Sequence, residues 1–146
     1  IMDEHINKYM FKITTEPIDP DALHEWILKP HHGAVVTFAG TVRNHTDGRQ
    51  TARLEYETYA EMAEKKMVEI GEEIQDKWSI EDVAMIHRIG ALEIGDISIL
   101  IAIAAPHRKD IFEACSYAID RVKQVVPVWK KEIWQDGDSE WAGDRH

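Results

Sequence analysis

The sequence predicts an α+β domain built on a largely antiparallel sheet with interspersed helices. Three observations predict it. Short β-branched runs such as GAVVTFAG (33–40) and DISILIAIAA (96–105) read as strands. Two longer stretches, 61–78 and 109–126, carry apolar residues at helical spacing. Several strands also follow one another through short connections, which makes hairpins rather than strict strand–helix alternation.

Taken in order, residues 9–14 alternate well enough for an opening strand. In IDPDALHEWILKP, Asp19 is placed as an N-cap with Pro20 at the first helical position. Ala22, Leu23, Trp26 and Ile27 then form the apolar face of a short helix that Pro30 stops. GAVVTFAG reads as a buried strand, TVRNHTDGRQT as a polar, turn-rich loop, and ARLEYETY (52–59) as the return strand. The first long helix, 61–78, puts Ala63, Met67, Ile70, Ile74 and Trp78 on one face, with Glu61–Lys65 and Glu73–Lys77 as i,i+4 pairs. VAMIHRIG and DISILIAIAA form two strands joined by ALEIG. The second long helix buries Phe112, Cys115, Ile119, Val122 and Val126, and VWKKEIW closes the fold as a last strand of period two.

With 146 residues and no repeat or linker, the chain reads as one continuous domain, 1–146. No apolar run approaches the roughly 20 residues a membrane helix needs, and the first residues lack a secretory pattern. One cysteine excludes an intrachain disulfide and fits a reducing cytoplasm. A net charge of −10 argues against a general nucleic-acid binder. That charge is unevenly placed. Residues 107–131 hold six Lys/Arg against three acids, whereas the remainder holds 11 against 24. A local basic patch on an acidic protein suits a small anionic ligand, although a solvated basic helix face would give the same count.

Inside that patch, RVKQVVPVWKKEIW places Lys123 and Lys130 on either side of Pro127. Proline breaks the helix, so the two amines come from different elements and can meet where helix end and strand adjoin. Both can also snorkel, with packed stems and solvated heads. Phosphate-loop, nucleophile-elbow and HExxH motifs are absent, and the eight histidines show no metal-ligand spacing. His31–His32 read as exposed loop, Cys115 as an inert core thiol, and His87–Arg88 as structural strand residues.

Four segments in register, GAVVTFAGTVRNH, the IHRIG…GD hairpin, the PHR helix start and PVWKKE, carry a resemblance. From about Gly33 to Trp141 the chain resembles the catalytic (large) subunit of molybdopterin synthase. The resemblance implies an α/β hammerhead-type fold and a cytoplasmic sulfurtransferase that needs no cofactor and no metal. Its partner would be a small ubiquitin-like sulfur carrier with a C-terminal Gly-Gly thiocarboxylate. Its substrate would be cyclic pyranopterin monophosphate, and its assembly a homodimer within a heterotetramer. Lys123 and Lys130 match the family's catalytic lysines. Thr41, Val42 and Arg43 match a substrate-contacting loop, His107 and Arg108 the pair binding the phosphate region, and Lys131 and Glu132 the substrate-contacting run. Thr41 stands where relatives often carry lysine. A non-catalytic adaptor for a ubiquitin-like tail is the alternative, and its mark would be loss of a lysine or of Arg43. A phosphate-binding module using the PHR helix start alone is a second alternative, which would not need the two lysines to converge.

Overall fold

The computed structural model describes residues 10–145, with side chains to residue 142, so Tyr9 of the expected opening strand lies outside the described residues. Two sheets carry the fold. The first has the order β1 (Met10–Thr14), β5 (Asp82–Arg88), β7 (Ile97–Ala105), β2 (Ala34–Thr41). Only the β1–β5 pair is parallel. The second runs β3 (His45–Thr46), β4 (Arg49–Thr58), β8 (Val128–Trp134), β9 (Ser139–Arg145), with β6 (Gly90–Glu93) also paired to β4. This is the α+β class expected from sequence.

Three helices cover the first sheet. α1 (Pro20–Ile27) begins as the sequence indicates, Asp19 accepting the backbone N–H groups of Asp21 and Ala22. It lays Leu23 and Ile27 on one sheet face, against Ala84, Leu100 and Ala102. α2 (Ala60–Trp78) and α3 (Ile111–Val125) cover the other face. Met67, Ile70 and Ile74 of α2 are fully buried, each contributing about 1.5–3 kcal/mol relative to exposure. β7 is buried from Ser98 to Ala105 because helices lie on both its faces.

Several expectations need correction. β2 is an edge strand whose Thr37, Phe38 and Ala39 are exposed, not a buried strand. Its expected return partner β4 belongs to the second sheet. The polar loop contains a hairpin: Asp47 and Gly48 both take positive φ (52° and 80°), turning β3 into β4. The ALEIG connection is itself largely strand β6, and β8 is followed by β9. Phe112 is 67% exposed, because the buried stripe of α3 is Ile111, Ala114, Cys115, Ala118 and Val122. Glu73 reaches across to Arg121 and Tyr117 on α3 rather than serving only Lys77, and the Arg121 hydrogen bond holds its carboxyl below the usual glutamate value.

The two edges of the first sheet are treated differently. At β1, the outward N–H of Ile13 donates to Glu64 Oε2 of α2 at 2.9 Å. β2 shows no comparable cover along its outer edge among the described residues. At its start, Gly33 N–H donates to Ala105 O, and a Cβ on Gly33 would stand 2.3 Å from Pro106 O.

The residues before β2 are pinned by a latch that the sequence reading took for exposed loop. The His32 side chain is 1% exposed. Its Nδ1 accepts the Lys29 N–H at 3.0 Å, so Nε2 carries the proton and donates to Asp82 Oδ2 at 2.7 Å. Lys29 Nζ takes the other carboxylate oxygen at 2.5 Å. His31, His32 and Asp82 do gather within metal-ligand range, but the histidine lone pair points to a backbone donor and an ammonium already sits on the carboxylate. The cluster is an ion-pair latch. Burial pushes the Asp82 carboxyl up, yet the Lys29 and His32 hydrogen bonds outweigh this and hold it below the usual aspartate value. A depressed folded-state value makes the latch's stabilisation fully present above the ordinary aspartate range and lost as pH falls below about 4. Asp82→Asn is therefore expected to cost about 1–3 kcal/mol at pH 7. In thermal unfolding from pH 7 to 3, the gap between wild type and variant should close.

Candidate active site

Pro127 works as the sequence suggested. α3 ends at Val125, Val126 turns to extended backbone, and β8 starts at Val128. Thr58 Oγ1 donates to Pro127 O at 2.5 Å, fixing the turn to the neighbouring strand β4. Lys123 therefore leaves the last turn of the helix, and Lys130 leaves the strand two residues after Val128. Both line one cavity of about 370 Å³.

Arg43, in the β2–β3 connection, joins the two lysines at this cavity, and Glu132 is its fourth charged lining residue. Three cations against one carboxylate make the cavity a receptor for an anion. Lys123 is exposed and Lys130 half-buried. Snorkelling thus describes how the stems pack but not where the heads gather.

Glu132 is 5% exposed and is engaged by hydroxyls: Thr46 and Thr51 donate to its Oε2 at 2.7 and 2.5 Å. Among the described residues no ion pair joins it to Lys130, which leaves that amine available for a ligand. A second cavity of about 410 Å³ lies under the β3–β4 hairpin, lined by Arg49, Trp134 and Glu140 among others. It shares Thr46, Lys130 and Glu132 with the first. Lys130 thus lines both cavities.

Of the nine residues assigned from sequence, Thr41, Arg43, Lys123, Lys130 and Glu132 line the first cavity. Val42 does not. It follows the last residue of β2, and its side chain packs in the core, where it is 3% exposed. Its N–H donates to Asp96 O and its carbonyl accepts from Gly95 N–H, so Val42 anchors the strand end from which Arg43 projects. Lys131 points to the other face of β8, its Nζ 5.7 Å from the Trp141 ring centre.

His107 and Arg108 are exposed and also lie outside the cavity lining. The helix proper begins at Ile111, with Asp110 at its cap. Ser98 and Ile99 at the start of β7 line the cavity, whereas this pair follows the strand's far end, roughly 25 Å away at about 3.3 Å per residue.

Sequence reading missed the cavity floor. Tyr56 of β4, His87 of β5 and Ser98 of β7 line it, 6%, 1% and 7% exposed. His87 was taken as structural and the other two were not singled out. The available signal was weak: polar residues on the inward face of otherwise apolar strands. Burial pushes the Tyr56 hydroxyl up, against a hydrogen bond with Ser98, so it stays a neutral phenol. Cys115 is buried in the α3 stripe and burial pushes its thiol up, which fits an inert core residue.

This geometry agrees with comparisons to known proteins. The family described as MoaE protein matches residues 13–125. The molybdopterin synthase catalytic subunit of Staphylococcus carnosus is 55% identical over 133 residues, covering 91% of this chain and 88% of the relative. A crystal structure of molybdopterin synthase from Staphylococcus aureus superposes with a TM-score of 0.86 at 51% identity, covering 91% of this chain and 96% of the other. A chain from the complex of subunits 1 and 2 of the Helicobacter pylori molybdopterin-converting factor shares the fold at a TM-score of 0.76 and 22% identity, covering 92% and 90%. Matched across most of its length by the family and by relatives more than half identical, this chain belongs to the MoaE protein family.

Proposed function

We propose that this chain is the catalytic subunit of a molybdopterin synthase. It would transfer sulfur from the thiocarboxylated C-terminus of a small ubiquitin-like carrier to cyclic pyranopterin monophosphate, forming the dithiolene. The observation that carries the reading is the meeting of Lys123 and Lys130, from helix and strand, with Arg43 at one cavity. An adaptor that only held a protein tail would not need three converging cations.

In this reading Arg43 holds the cyclic phosphate through its planar fork of donors. The carrier's thiocarboxylate sulfur attacks a phosphate-bearing side-chain carbon of the pterin. The C–S bond forms as the C–O bond to the cyclic phosphate breaks, the phosphate oxygen keeps the electron pair, and the carrier stays attached through a thioester. A second carrier repeats the step at the neighbouring carbon, whose oxygen leaves as water. Water then adds to the thioester carbonyl. The C–S bond to the carrier breaks, the carrier departs as a carboxylate, and the thiolate stays on the pterin. Lys123 stabilises the oxyanion formed at the tail carbonyl. Lys130 donates and accepts protons on the pterin as the phosphate ring opens, with Thr41 and Glu132 shaping its surroundings. The second cavity, meeting the first at Lys130, gives the extended tail its own approach. Neither step requires a bound metal or cofactor. A cytoplasmic setting fits the lone buried thiol, and among the described residues no helix is long and apolar enough to cross a membrane.

His107 and Arg108 enter this reading through a second copy of the chain. Among the described residues β2 is the uncovered edge of the first sheet, and two such edges pairing antiparallel would set the Ala34 end of one beside the Thr41 end of the other. Through the Gly33–Ala105 bond, the Ala34 end adjoins the segment bearing His107 and Arg108. That pair would then reach the phosphate side of the partner's cavity. Mixing Lys123→Ala with Arg108→Ala tests this. Two nearly inactive homodimers should regain up to about a quarter of wild-type turnover after subunit exchange, because half of the dimers are mixed and each has one intact site. No recovery despite exchange would show that each site is built within one chain.

A further inference from the structure

We infer that Lys29, His32 and Asp82 are positioning residues for His107 and Arg108, holding that pair where a neighbouring chain's cavity can use it to bind phosphate. This rests on the sulfur-transfer reading and on a site shared between two chains, and adds what aims the pair.

The latch lies across the strand that delivers the pair. β7 runs between β5 and β2. Near its end, Ala104 is the register partner of Asp82 on one side and Ala105 that of Ala34 on the other. Asp82 therefore flanks β7 on the β5 side, while Lys29 and His32, which lead into β2, reach it from the opposite side. Cross-strand partners share a sheet face, so the crossing passes over Ala104, which is 1% exposed and whose methyl group leaves room for it.

Direct backbone contact couples the latch to the exit of β7. Next to His32, Gly33 donates its N–H to Ala105 O at 3.0 Å, and a Cβ on Gly33 would stand 2.3 Å from Pro106 O. The backbone of residue 33 thus abuts the carbonyl that directly precedes His107, and a displacement of His32 is passed to it. At the other end of the loop, Arg108 O accepts the Ile111 N–H at 3.2 Å, which ties the pair to the start of α3. His107 and Arg108 are therefore carried on a short loop held at both ends. A cavity of about 240 Å³, lined by His31, Asp82, Ala105 and Pro106 among others, lies beside the latch. Without the latch, the chain there has room to settle elsewhere.

A buried imidazole with an ion pair is a poor way merely to stabilise a strand end, because an apolar side chain would fill the space without desolvating charge. Hydrogen bonds of fixed direction add geometry instead, and groups that bind an anion need placing to within about 0.5 Å.

The test puts a latch variant in one chain or the other of a mixed dimer. When Lys123→Ala is mixed with Arg108→Ala, the one intact site takes its lysines from the Arg108→Ala chain and its Arg108 from the Lys123→Ala chain. Asp82→Asn added to the Lys123→Ala chain should raise KM for the pterin substrate about three- to tenfold, with kcat per intact site changed by less than about twofold. The same substitution added to the Arg108→Ala chain should leave both constants at the values of the parent mixture. Weaker folding or weaker dimers would affect the two placements alike, so equal KM values in the two would overturn the positioning role. If Asp82→Asn folds poorly, Lys29→Met removes a half-exposed side chain and gives the same comparison. No recovery in the parent mixture would count against the shared site, and no turnover in wild type against sulfur transfer. Calorimetric titration of homodimers with cyclic pyranopterin monophosphate then decides the latch. Asp82→Asn should weaken binding in an otherwise wild-type chain but not in one already carrying Arg108→Ala. Equal losses in both backgrounds would overturn the proposal, as would a wild type that binds none of this compound.

Discussion

Lys123→Ala lowers kcat by at least about a hundredfold while the protein stays folded. The fold should tolerate the change because Lys123 is exposed near the end of α3, and among the described residues its amine makes no ion pair. Alanine is also a better helix former than lysine. Thermal unfolding should therefore shift little, and KM for the pterin should move much less than kcat. Lys123→Arg keeps the charge but presents a larger planar fork, so it should recover only a small part of the loss. In single-turnover reactions, a carrier–pterin thioester adduct should persist, since the missing amine is the one assigned to the oxyanion of its hydrolysis. Mass spectrometry of quenched reactions measures it. Full activity in Lys123→Ala would move the chemistry off this residue.

Lys130→Ala should also lower kcat by about a hundredfold or more, but at another stage. Lys130 is half-buried and lies between both cavities, two residues from Glu132 on the same strand face. If it handles protons on the pterin, its loss slows formation of the first C–S bond and no adduct accumulates. The double variant should then resemble Lys130→Ala in its intermediates, because the earlier block hides the later one. Adduct accumulation in both single variants, to the same extent, would show that the lysines serve one step together. The buried carboxylate of Glu132 should keep its two threonine donors in Lys130→Ala, so this variant should also remain folded.

Much of this was legible in the sequence where local rules decide. The Asp19 cap with Pro20 after it, the α2 stripe, the helix stop at Pro127 and the alternation of β8 each follow from residues within a few positions of one another. Lys123 and Lys130 were placed together for that reason. What was missed depends on non-local pairing. Nothing in GAVVTFAG says that helices cover both faces of β7 while β2 lies at the edge of the sheet, so burial was assigned to the wrong strand. Opposite Gly40 and Thr41 the β7 partners skip from Ile99 to Ile97, so the extra residue of this irregularity is Ser98 on β7, and alternation counted along either strand alone cannot show it. Tyr56, His87 and Ser98 come from three strands and meet only after both sheets form. The Asp47–Gly48 turn was readable, since Asp-Gly is a hairpin signal. His107 and Arg108 were matched to a role by resemblance, and the single chain holds them away from the cavity they were expected to serve.

Following the sulfur itself tests most directly whether this protein moves it from a protein tail to a pterin. The carrier would be loaded with isotopically labelled thiocarboxylate and mixed with wild-type protein and cyclic pyranopterin monophosphate. The pterin product would then be examined by mass spectrometry. The expected result is a pterin bearing two labelled sulfurs, with two carriers released as carboxylates for each product formed. A carrier that binds tightly yet keeps its label, with the pterin recovered unchanged, would contradict the claim and leave tail binding without catalysis as the protein's role.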